Sequence, residues 1–220
     1  MTELERKIRE FYEEKGIEND GWLDDRLKDS IDTARTIAEY AHATQVRING
    51  ELYFHHPENL LRRYRGIVMS FKFDGDLCMD LGIPVIGVQE LCYLHDVIED
   101  TDVTLDEIME LIRNCKGKKR YCHLTELKEA LIAITHKKDE PFEDYYNRLL
   151  ENPLASFVKM FDIEDNMRLL NLVAFGEKEY ERAKRYVTLF YRINEKYHYV
   201  EKLDKYSKSP RNIYDDWEDW

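Results

Sequence analysis

The chain has no run of about 18 apolar residues, the length a membrane-crossing helix needs. Its opening stretch, MTELERKIREFYEEKG, is charged throughout and lacks the apolar region of a secretory signal. These absences predict a cytoplasmic protein without a membrane partner. Cysteine is scarce: Cys78, Cys92, Cys115 and Cys122 form no CxxC pair, which argues against a disulfide scaffold and for reduced packing residues. Glycine (9) and proline (5) are few, so a fibrous or disordered chain is disfavoured and long helices are favoured. A basic excess is also missing. The net charge of −12 excludes wrapping of duplex nucleic acid, which depends on many Lys and Arg contacts to phosphate.

What is present is enough apolar material for one core: 220 residues, 43% hydrophobic and 35% charged. The periodic signals are helical. Leu27, Ile31, Ala34, Ile37, Ala38 and Ala41 form a stripe at three- and four-residue steps between Asp24 and Thr44. Pro57 opens a second helix, PENLLRRYR, at the position where its missing N–H is harmless. Thr104 and Glu107 match a capping box ahead of TLDEIMELI, which the basic loop KGKKR ends. Helix resumes near Gln89 and runs through YLHDVIEDT, and the segments 124–136, 142–151, 154–171 and 177–203 complete the pattern. Four glycines and a proline predict that 66–88 is an irregular insertion. The expected architecture is therefore an all-α, single-domain helical bundle over 23–203, with an N-terminal helix in 1–22 packed on it. The acidic aromatic tail, 204–220, carries Tyr214, Trp217 and Trp220. Exposed tryptophans are unfavourable, so the tail is expected to dock on the core, with a partner as the alternative.

Ionisable side chains gather at three helix borders. In YLHDVIEDT, Leu91, Leu94 and Ile98 make a buried stripe with His95 at its edge, beside Asp96 and one turn before Glu99 and Asp100. Without a cation, that many acids at a desolvated boundary would repel one another. His56 precedes Pro57, which biases it toward an extended conformation just ahead of a helix. Asp162 follows the stripe Leu154, Phe157, Val158, Phe161, and Asn166 stands one turn later. Singly, each has a bland reading: a core histidine, or a solvated acidic turn. The ordered set is what points to a metal centre. Lys159 and Arg168 are among the cations that a small anion could meet.

The order His…His-Asp…Asp resembles the signature of the HD-domain metal-dependent phosphohydrolases, all-α bundles with a metal near their centre. AHATQVRINGELYFHHP, LHDVIEDTDVT and VKMFDIEDNMRLL are similar to three motifs of the RelA/SpoT (p)ppGpp hydrolase domain, and the likeness covers residues 34–171. The resemblance implies that His56, His95, Asp96 and Asp162 bind the metal, and that Glu99 and Asp100 orient and deprotonate the attacking water. It also implies that Arg47 stacks on the purine and that Asn166 meets the ribose or phosphate, with Lys159 and Arg168 as further substrate contacts. The implied ion is Mn²⁺ or another divalent transition metal such as Fe²⁺, Co²⁺ or Ni²⁺. Two imidazoles with two carboxylates suit these ions better than Mg²⁺. The implied reaction is 3′-pyrophosphate removal from (p)ppGpp, a small-molecule nucleotide. The short remainder beyond residue 171 implies a stand-alone hydrolase. A homo-oligomer stays open.

Three departures weaken the nucleotide assignment, one of them the 39-position spacing from His56 to His95, to which the 66–88 insertion contributes. Ile48 stands where the family often has a basic residue, and Ile163, Glu164 and Asp165 replace its Arg-x-His. They leave open a phosphatase or pyrophosphatase acting on ppApp, NADPH or nucleoside phosphates. A non-catalytic nucleotide-binding module is the alternative from a different class.

Overall fold

The computed structural model describes residues 1–17, 21–70, 74–84, 87–115, 124–170 and 176–207. Among the described residues the chain is all-α. In order the helices are α1 (Glu3–Glu14), α2 (Trp22–Arg26), α3 (Ser30–Ala41), α4 (His55–Ser70), α5 (Asp74–Leu81), α6 (Val88–Leu94), α7 (Val97–Asp100), α8 (Leu105–Arg113), α9 (Leu124–Ile134), α10 (Phe142–Leu150), α11 (Pro153–Leu170), α12 (Glu177–Tyr197) and α13 (Tyr199–Ser207). One isolated antiparallel bridge joins Val46 to Leu52. No helix among these is long and apolar enough to cross a membrane.

The centre is α11. Leu154, Phe157, Val158, Phe161 and Ile163 are buried on several of its sides, and it packs against α4, α6, α9, α10 and α12. A helix apolar nearly all round has its stable place inside the bundle. Its start is set locally: Asn152 Oδ1 accepts the Ala155 N–H at 2.9 Å, and Pro153 takes the first position. Helix α6 is the second inner element, with Val88, Leu91, Cys92 and Leu94 buried against α3, α4, α9 and α11. The N-terminal α1 buries Leu4, Ile8 and Tyr12 on α3 and α8. Cys78, Cys92 and Cys115 are buried packing residues.

Three expectations are corrected. The helix predicted through YLHDVIEDT divides in two at His95 and Asp96, where Asp96 has φ −103° and ψ −7°. The His95 ring turns back so that Nδ1 lies 3.0 Å from the Cys92 carbonyl. The predicted helix 177–203 also divides, at His198 in the left-handed region with φ 55°. That turn lets Tyr199 bury itself edge-on against Phe157, 5.2 Å between centroids, and donate its hydroxyl to Pro153 O at 2.9 Å. Finally, the segment 66–88 is mostly not irregular: Gly66 lies inside α4, and Asp74–Leu81 form α5. The buried side chains of Ile67, Cys78 and Leu81 outweigh the ~1 kcal/mol that glycine costs a helix. The KGKKR loop, Cys122, His123 and the aromatic residues of the tail lie outside the described residues.

Candidate metal centre

Three elements converge on one buried point. His56 sits in the first turn of α4, His95 and Asp96 in the break between α6 and α7, and Asp162 in the middle of α11. One ligand-type atom from each of these four residues lies within 4.8 Å of the others. His56 Nε2 is 2.9 Å from Asp162 Oδ1, His95 Nε2 is 2.9 Å from Asp96 Oδ2, and the two Nε2 atoms are 3.2 Å apart. The break makes this possible: consecutive residues of an unbroken helix point about 100° apart, whereas here His95 and Asp96 reach the same point.

The electrostatics are those of charges gathered in a dry place. Burial alone would lower the His56 and His95 pKa values, but the surrounding carboxylates prevail. Asp162, Asp165 and Asp96 hold His56 well above the usual imidazole value, and Asp96 with Asp162 raises His95 to about 9. Burial likewise opposes charge on the acids, yet His95 and His56 keep Asp96 well below the carboxylate range. Lys159 and the two imidazoles do the same for Asp162. Protons thus supply the positive charge that these acids need. Two imidazole nitrogens and two carboxylate oxygens are a donor set suited to a divalent transition metal, and with four protein ligands coordination positions stay open.

Glu99 and Asp100, both on α7, border this cluster. His136 donates its backbone N–H to Glu99 Oε2 at 2.9 Å, which holds the carboxylate. Burial, with some help from Asp96 and Asp100, raises the Glu99 pKa despite Lys159. Asp100 is raised by burial and by Asp96. Tyr53 Oη lies 2.6 Å from Asp96 Oδ2 and 3.1 Å from Asp100 Oδ2, linking the two carboxylates. A short hairpin delivers that tyrosine. The Tyr53 N–H donates to Gln45 O at 3.0 Å, and the Gly50 N–H to Arg47 O at 2.9 Å. Gly50 adopts φ +83°, which a residue with a Cβ rarely takes.

The same hairpin carries Arg47. Its guanidinium is buried, with Nη1 2.5 Å from Asp165 Oδ2 and Nη2 2.9 Å from Asn166 Oδ1. Asn166 in turn donates to Asp162 Oδ1 at 2.5 Å. Lys159 Nζ is 2.7 Å from Asp162 Oδ2. Arg168 is exposed in the last turn of α11, six residues beyond Asp162 and so about 9 Å along the axis.

Several neighbours escape sequence reasoning. Asp165 accepts from His56 Nδ1 at 2.8 Å and from Asn59 Nδ2 at 3.1 Å. Its only sequence signal is that it departs from the family pattern. A cleft of about 210 Å³ beside Glu99 and Lys159 is lined by Tyr145, Arg182, Arg185 and Tyr186. The α12 residues among them have no sequence signal, because no motif extends that far along the chain. On the other side of Glu99 a wider cavity of about 620 Å³ is bordered by Tyr40, Gln45 and Asp100. His42 is buried and stacks on Tyr53, with 4.5 Å between ring centroids.

No protein-family model matches the chain. The chain is 29% identical over 165 residues to a protein of Aquifex aeolicus (strain VF5) named guanosine-3′,5′-bis(diphosphate) 3′-pyrophosphohydrolase. The alignment covers 74% of this chain and 20% of that protein, so the chain spans about a fifth of the relative's length. What stands, then, is an all-α protein similar in sequence to part of a hydrolase, with four residues of metal-ligating type meeting at its centre.

Proposed function

We propose that this protein is a metal-dependent phosphohydrolase of the HD type that removes pyrophosphate from the 3′ position of (p)ppGpp. The observation that carries the reading is the meeting of His56, His95, Asp96 and Asp162 within 4.8 Å, with Glu99 at its edge. The similarity to a protein named as a (p)ppGpp 3′-pyrophosphohydrolase supports the substrate class. A divalent ion held by these four residues supplies Lewis-acid polarisation of a phosphoryl oxygen and lowers the pKa of a coordinated water.

The chain's own residues do the rest. Glu99, fixed by the His136 N–H and shifted toward neutrality by burial, takes the proton as water attacks phosphorus. The P–O bond to the ribose 3′ oxygen breaks, that oxygen is protonated, and GDP or GTP leaves with pyrophosphate. Tyr53 holds Asp96 and Asp100 in register. Lys159, Arg182 and Arg185 give the cleft beside Glu99 a positive wall. At about 210 Å³ that cleft is smaller than the ~300 Å³ at which pockets enclose whole ligands, a size suited to phosphoryl groups. Such cations offset the charge that develops on the phosphates.

One observation favours a second reading, a phosphatase or pyrophosphatase for another nucleotide. Arg47, which the resemblance assigns to the purine, is 8% exposed and committed to Asp165 and Asn166, so stacking on a base requires it to move. The Mn²⁺-loaded protein is to be assayed with ppGpp, pppGpp, ppApp and NADPH. Pyrophosphate release from ppGpp and pppGpp is expected. Cleavage of the others alone would overturn the (p)ppGpp assignment, and no turnover of any phosphate ester would overturn the enzymatic one.

A further inference from the structure

We propose that Asp165 is a positioning residue of the metal centre: it sets the orientation and tautomer of His56 and ties that ligand, through Arg47 and Asn166, to Asp162. The inference rests on the metal-centre reading above and adds a role for a residue outside the ligand set. An imidazole that ligates through one nitrogen carries its proton on the other, and an acceptor facing that other nitrogen decides which nitrogen is presented. His95 has the Cys92 carbonyl at 3.0 Å from Nδ1. His56 has a carboxylate oxygen of Asp165 at 2.8 Å from Nδ1. Both rings therefore turn Nε2 inward, where the two atoms stand 3.2 Å apart.

The two acceptors differ in kind. A neutral carbonyl orients a ring, whereas a carboxylate also raises the basicity of the opposite nitrogen. Asp165 is itself held on both oxygens. Oδ2 also accepts from Arg47 Nη1 at 2.5 Å, and Oδ1 accepts from Asn59 Nδ2 at 3.1 Å. The guanidinium continues to Asn166 Oδ1 at 2.9 Å, Asn166 Nδ2 to Asp162 Oδ1 at 2.5 Å, and Asp162 Oδ1 to His56 Nε2 at 2.9 Å. The result is a closed ring, His56–Asp165–Arg47–Asn166–Asp162, in which two ligands from different helices are joined by three residues that are not ligands. Asp165 follows Asp162 by three residues on α11, so one helix face supplies both the ligand and the residue that aims its neighbour. The competing role, a buried partner for Arg47 and nothing more, gives no reason for His56 Nδ1 to share the same oxygen.

The test compares Mn²⁺ binding to the full-length wild type, Asp165→Asn and Asp165→Ala by titration calorimetry, with thermal melts in EDTA alongside. Asparagine keeps the shape and one acceptor but not the charge; alanine removes both. Loss of such an outer partner weakens metal binding by about ten- to a hundred-fold. That is the expectation for Asp165→Ala, with Asp165→Asn weakened less than Asp165→Ala but by more than about three-fold, and with turnover of Asp165→Asn recovering as Mn²⁺ is raised to saturation. If alanine prevents folding, the asparagine variant decides. Variants that melt lower yet bind Mn²⁺ within about three-fold of wild type would make Asp165 a structural residue only and overturn the proposal. A wild type that binds no Mn²⁺ overturns the metal-centre reading itself, and Asp165 with it.

Discussion

In the proposed reaction Glu99 is the general base, and two features of its surroundings suit that role. One carboxylate oxygen takes the His136 N–H, and burial raises the pKa so that proton capture near neutrality costs less. Removing the charge while keeping the shape isolates this role. Glu99→Gln is expected to lower kcat by about 10²- to 10⁴-fold, while calorimetry finds Mn²⁺ binding unchanged, because Glu99 is not among the four grouped ligand residues. Equal loss of metal and turnover would instead make Glu99 part of the ion's site. Residues that lie close in sequence, such as His95, Asp96, Glu99 and Asp100, could be recognised from their spacing and order. Asp165 and Arg182 could not, because their meaning depends on which atoms face them across the bundle, and a single sequence does not record that.

At the scale of the elements, the position of Glu99 is inherited from the end of α9. The last carbonyls of a helix have no partner within it. Here the guanidinium of Arg148 fills that role, donating to Ile132 O, Ala133 O and Thr135 O while pairing with Glu140. That cap fixes the chain at His136, whose N–H holds Glu99. Arg148→Met should therefore leave the part-buried carbonyls of Ala133 and Thr135 without that donor, destabilising the fold by about 1–2 kcal/mol in urea unfolding, and should also lower kcat with little change in Mn²⁺ binding. A stability loss with full activity would separate the cap from the base. The capping box at Thr104 and Glu107 was legible and is present, since its signal is local. The two helix breaks were not legible. Their causes, a His95 ring turned to the Cys92 carbonyl and the burial of Tyr199, are choices made by packing after local propensity has been satisfied. The glycines of 66–88 misled for the same reason.

For the molecule as a whole, the cluster at its centre ties stability to protons and, if it holds the proposed ion, to metal as well. In the metal-free protein His95 is raised to about 9, above the ~6.5 of an unfolded chain. Between these values the folded state holds the extra proton, so the stability from that proton is complete below ~6.5 and is lost as pH climbs through about 9. The lowered Asp96 and Asp162 work in the opposite direction, contributing above ~3.9 and failing in acid. A metal ion reverses the alkaline side, because it must displace the imidazole protons to bind and so gains affinity as they become easier to remove. Thermal melts across pH 6–9 are therefore expected to show the EDTA-treated protein losing stability toward pH 9 while the Mn²⁺-loaded protein keeps it, the gap between them widening with pH. With free Mn²⁺ at 100 times its Kd the ion adds about 2.7 kcal/mol. For a chain of this length that is a rise in Tm of roughly 5–11 °C. A gap that narrows toward alkaline pH, or no gap at any pH, would mean that protons and metal do not compete for His56 and His95. The grouping of these four residues would then be a proton-bridged core and nothing more.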